Sequence, residues 1–133
     1  MRVTNTFYGF YSELPGRNIV MSYGSGIWTT EYVDALLADA LKVGKRFNGP
    51  WAYIVDPRGI DPGISQEVLD RFIEMHACLE REGCTALAFL DFNNAAMKRL
   101  SQMYQDNAAG STLTVGYFDT EMEAFDWLRG LGF

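Results

Sequence analysis

Three aspartates, Asp56, Asp91 and Asp119, each close a short, largely apolar run. Carboxylates are hard oxygen donors, and three of them along one edge could hold a divalent cation. Aspartate also orders turns and caps helices, which accounts for all three positions without a metal. No metal site is therefore expected. Two of Asp56, Asp61 and Asp91 within reach of one substrate could instead serve a small hydrolase or isomerase. His76, the single histidine, falls within a helical apolar stripe. It has no second His or Cys close enough to suggest zinc, so a packed, hydrogen-bonded core residue is expected. Cys78 and Cys84 lack C-x-x-C spacing and read as reduced packing residues. Gly24-Ser25-Gly26 resembles the start of a dinucleotide fingerprint, but Thr29 stands where its third glycine belongs. A P-loop and a GxSxG elbow are missing from the sequence. These residues form no complete catalytic constellation, and neither catalytic residues nor a cofactor are expected.

A chain of 133 residues has the size of one domain able to bury a proper core. With 48% hydrophobic and 14% aromatic residues, it has the composition of a folded protein. A formal net charge of −6 argues against a general nucleic-acid binder, which needs surplus Lys and Arg facing phosphates. No apolar run approaches the roughly 20 residues of a membrane span, and the N-terminus lacks a secretory pattern. The expectation is one soluble, cytoplasmic domain over residues 1–133, without integral membrane association.

The elements that must position these residues follow from periodicity and turn chemistry. Residues 6–11 and 18–23 form two strands around the Leu14-Pro15-Gly16-Arg17 turn, an antiparallel hairpin. A helix over 30–46 carries Val33, Leu36, Leu37, Ala40, Leu41, Gly44 and Phe47 on one stripe, and Asn48-Gly49-Pro50 stops it. Residues 51–56 form the third strand, followed by a Gly/Pro-broken loop to Ser65. A second helix over 65–82 places Val68, Leu69, Phe72, Ile73, His76 and Leu79 inward. The run 85–91 is a strand buried on both faces. A third helix covers 94–105, a last strand 112–118, and a fourth helix 119–129 opens on the capping box of Thr120 and Glu123. The order β-β-α-β-α-β-α-β-α implies an α/β fold. Its mixed sheet has five strands, one antiparallel strand from the hairpin and the rest parallel, with four helices. Function in such sheets usually sits past the carboxyl ends of the strands, which here means the loop after Asp56.

Side chains along the strands divide with period two. Trp51, Tyr53, Val55, Leu87, Phe89, Val115 and Tyr117 are large, whereas Ala52, Ala86, Ala88, Thr114 and Gly116 are small. This predicts one thick core face and one thin one. Phe7, Tyr8, Phe10 and Tyr11 fill both sides of one short strand. Some of them therefore meet a second surface, a subunit or a ligand groove.

Gly49-Pro50-Trp51-Ala52, leading into a strand that ends Asp56-Pro57-Arg58-Gly59, resembles the STAS/SpoIIAA-like family. So does Tyr117-Phe118-Asp119-Thr120-Glu121 followed by Glu123-Ala124-Phe125-Asp126-Trp127-Leu128. The likeness spans nearly the whole chain and is strongest to the stand-alone bacterial members. It implies a SpoIIAA-like fold and a small binding or regulatory module rather than an enzyme. Its best-understood relatives are anti-anti-sigma factors, switched by phosphorylation of a serine at a helix start within an Asp-Ser-Ser-Gly run. Ser65 is the candidate phosphorylation site at that place, in the run Pro62-Gly63-Ile64-Ser65-Gln66. The expected activity is a non-enzymatic regulatory or protein-interaction module, a homodimer with an unidentified protein partner. Asp56, Arg58, Asp61 and Ser65 are the candidate contact residues. The alternative is a carrier or sensor of a lipid or other apolar small molecule, in a CRAL-TRIO-like pocket walled by Tyr8, Tyr11, Trp28 and Tyr53.

Overall fold

A computed structural model describes residues 6–10, 16–61, 63–90, 98–99, 102–103 and 113–133. Its strands are β1 (Phe7–Phe10), β2 (Ile19–Gly26), β3 (Trp51–Ile60), β4 (Cys84–Leu90) and β5 (Thr114–Phe118). Its helices are α1 (Thr30–Gly44), α2 (Gln66–Arg81) and α3 (Glu121–Gly130). The sheet runs β1-β2-β3-β4-β5, with β1 antiparallel to β2 and every other pair parallel. The mixed five-stranded sheet is thus the expected one. The described elements contain three helices rather than four. The helix expected over 94–105 falls mostly outside the described residues, and of it only Lys98, Arg99, Gln102 and Met103 are described, all helical.

Strands laid down in strict sequence order have a consequence for the helices. Parallel crossovers share one hand, so successive steps in one direction deliver their helices to one face. Accordingly α1 and α2 share a core with Val20, Trp51, Tyr53, Val55, Leu87 and Phe89. The opposite face, Ile19, Met21, Ala52, Ile54, Ala86, Ala88 and Leu90, is packed by Ala124 and Leu128 of α3. The thick and thin faces are those the period-two split predicts. The small side chains of the thin face let one ten-residue helix lie close against the sheet.

β3 departs from expectation. It continues past Asp56 to Ile60, and the supposed loop shrinks to residues 61–65. Tyr23 pairs with Asp56, but Ser25 pairs with Gly59, so β3 holds one extra residue across Pro57 and Arg58. Proline has no N–H for the ladder, and a bulge is where a strand tolerates it. The pairing with β4 has already ended at Val55, so this stretch is bonded on one side only. Gly59 is required by close approach, since a Cβ there would lie 2.9 Å from the Gly24 carbonyl oxygen. β2 likewise runs through Gly24-Ser25-Gly26 instead of stopping at Tyr23.

Candidate functional site

The carboxyl rim of the parallel strands gathers most of the expected contact residues. Asp56, on the thin face, is only 5% exposed. It accepts from Arg58 Nε at 2.8 Å and Nη2 at 2.7 Å, and from the Arg58 backbone N–H at 3.1 Å. The bulge makes this fork possible, because it brings residue 58 back over residue 56. Arg58 Nη2 also donates to Glu121 Oε1 at 3.0 Å, joining β3 to the first turn of α3. The bonds to Asp56, with a smaller share from Glu121, raise the guanidinium's pKa above its already high value. A bidentate guanidinium–carboxylate pair is geometrically fixed as well as strong. The side chain of Arg58 remains 47% exposed, so the rim presents a positioned cation.

Asp61 and Ser65 serve the turn between them. The Asp61 backbone N–H donates to Gly26 O at 2.8 Å, and its carboxylate accepts from Gly63 N–H at the same distance. That is an Asx turn. Ser65 is the N-cap of α2, where its exposed hydroxyl accepts from Val68 N–H at 3.2 Å. The cap satisfies one of the orphan donors of the helix start. Arg58 and Ser65 therefore lie at the rim as exposed groups with structural roles, and Asp61 is half-buried beside them.

The cation and hydrolase ideas find little geometry. Asp56 is engaged by Arg58, Asp61 by its own turn, Asp119 is exposed before α3, and Asp91 lies outside the described residues. Among the described residues no group of three His, Cys, Asp or Glu is placed to hold a metal ion.

The residues expected to wall an apolar pocket lie on the thick face, apart from Tyr11, which is outside the described residues. Tyr53 is fully buried; its hydroxyl bonds Ser22 Oγ, and desolvation raises its pKa. Trp28 donates Nε1–H to Ser25 O at 3.0 Å and stacks on Phe72 at 5.6 Å. Tyr8 donates to Asp39 Oδ2 at 2.6 Å, a bond that pushes its pKa up to about 12. A row of rings continues from Phe72 through His76 and Phe89 to Tyr117. His76 is buried in it, and desolvation lowers its pKa to about 3, keeping the imidazole neutral. Tyr8, Trp28 and Tyr53 thus belong to a packed aromatic core. Cys84 is buried, with its thiol pushed up to about 12 by desolvation, and Cys78 is half-buried; neither is in a disulfide.

Two features had no signal in the sequence. Glu121 meets Arg58 across 63 residues of chain, a pairing that only the fold creates. At the opposite end of the sheet, Gly16, Arg17, Asn18, Pro50, Leu131, Gly132 and Phe133 line an open hollow of about 390 Å³. Arg17 there donates to the carbonyls of Phe125 and Phe133 at 3.1 and 2.8 Å, fastening the C-terminal end of α3.

No family model, curated protein or solved structure matches the chain. No helix among the described residues is long and apolar enough to cross a membrane.

Proposed function

We propose that the chain is a non-enzymatic STAS/SpoIIAA-like interaction module of the cytoplasm. In this reading it engages a protein partner through the carboxyl rim, from Arg58 to the first turn of α2. The observation that carries this is the Asp56–Arg58–Glu121 clamp. It holds a half-exposed guanidinium in fixed geometry, so a partner carboxylate meets a cation whose ordering cost is already met. Ser65 stands nearby on the N-terminus of α2, where added negative charge is favourable to the helix. Phosphorylation there would change the sign of the contact surface without unfolding it. The test is affinity capture from the native host with wild-type protein, Arg58→Ala and Ser65→Ala, plus intact mass for phosphate. A partner held by wild type and released by Arg58→Ala is the expected result. Partners retained equally by all three proteins would rule the rim out. Apolar mass co-purifying in native mass spectrometry would replace this reading with a carrier.

A further inference from the structure

The partner-binding rim leaves one edge of the sheet unexplained. β1 is bonded to β2 on one side only, and none of its four residues is buried. Natural edge strands are guarded against pairing by charge, proline or bulges. Phe7-Tyr8-Gly9-Phe10 contains no charge and no proline, and its ladder to β2 is regular from Phe7↔Ser25 to Phe10↔Ser22. Phe7 is 48% exposed. It stands on the thin face, edge-on to Tyr23 with ring centroids 6.1 Å apart. Gly9 lies on that same face, where the Tyr23 ring covers it so closely that a Cβ would come within 2.7 Å of Cζ. Tyr8 and Phe10 point the other way, into the thick core.

We propose that β1 is a self-pairing edge, whose occupant is the β1 of a second copy of this chain, antiparallel about a two-fold axis at Tyr8. A two-fold axis normal to the sheet sets opposite one another only positions of like facing. Centred on Tyr8, it places each chain's Phe7 over the other's Gly9 and against the Tyr23 ring. The large exposed ring and the position with no side chain are thereby matched twice in one isologous contact. Aromatic cover of a strand glycine is a known stabilising pairing in sheets.

Charge selects the second copy over an unrelated strand. Each chain carries a formal −6, so two copies repel wherever acidic surfaces meet. β1 brings no charge to the seam, and the flanking Asp39 is 3.9 Å from Lys42, one charge of each sign. The other edge strand, β5, has an exposed threonine at its start and no exposed large apolar side chain.

Sedimentation of the full chain over a concentration series, at low and high salt, tests this. The expected result is a dimer that tightens with salt, as like-charge repulsion is screened. Phe7→Lys should weaken it at least about tenfold, because both copies of the contact are lost together, while the melting temperature of the monomer is kept. Thr114→Lys on β5 should leave it unchanged. Tyr8→Cys places the two sulfurs across the axis, and mild oxidation should give an inter-chain disulfide. A wild-type chain that stays monomeric overturns the proposal. So does a dimer indifferent to Phe7→Lys and not cross-linked through Tyr8→Cys, or one dissolved by Thr114→Lys.

Discussion

Arg58 is held from two sides, and its removal has two consequences of different size. Losing Glu121 costs little, since that pair is exposed on both partners. Losing the fork on Asp56 leaves a carboxylate that is 5% exposed with fewer donors, which is expensive because burial forfeits water as a substitute. Arg58→Ala should therefore destabilise by about 1–3 kcal/mol, discounted for the half-exposed guanidinium. Arg58→Lys should recover only part of that, because an ammonium cannot make the fork. Urea unfolding of the three proteins measures both. Ser65 is simpler. Its cap is worth about 1 kcal/mol, so Ser65→Ala should lower the urea midpoint while Ser65→Asp, still a capping residue, should hold it. A rim indifferent to Ser65→Ala would mean that the cap bond carries no stability.

At the scale of elements, what could be read from the sequence was what is local. The stripes of α1 and α2 and the apolar run of β4 emerge from spacing alone, because each element's own periodicity records which side it buries. Thr120 and Glu123 form the expected cap of α3, with Glu123 N–H donating to Thr120 Oγ1 at 3.2 Å. β3 was illegible beyond Asp56 because Asp-Pro-Arg-Gly carries turn chemistry, while the pairing of Gly59 and Ile60 with Ser25 and Gly26 is made by distant residues. The Arg58–Glu121 contact was hidden for the same reason. Gly44 shows packing overriding propensity. It sits in the last turn of α1, where alanine should gain about 1 kcal/mol of helix propensity. A Cβ there would lie 2.6 Å from the buried Trp51 ring, and overpacking costs about 1–3 kcal/mol. Gly44→Ala is expected to lower the melting temperature. A rise would show that Trp51 can shift at no cost.

The whole molecule is sensitive to acid through its interior. The folded protein holds His76 neutral down to about 3, whereas the unfolded chain takes up a proton near the ordinary value of 6.5. The unfolded state therefore binds more protons between these values. The stability from burying His76 is intact above about 6.5 and is lost steadily as pH falls toward 3, on the order of 4 kcal/mol over the whole window. Comparing urea midpoints at neutral and mildly acidic pH, His76→Leu should lose less than wild type. Equal losses would place the acid sensitivity elsewhere.

The one-directional march of the strands also sets an order in time. During synthesis, β1 to β4 with α1 and α2 leave the ribosome before α3, so the thick-face core can assemble while Ile19, Met21, Ala52, Ile54, Ala86, Ala88 and Leu90 still face water. Until its closing helix arrives, the nascent protein displays the side of its sheet that the finished one conceals. That interval is when it is most open to aggregation and to chaperones.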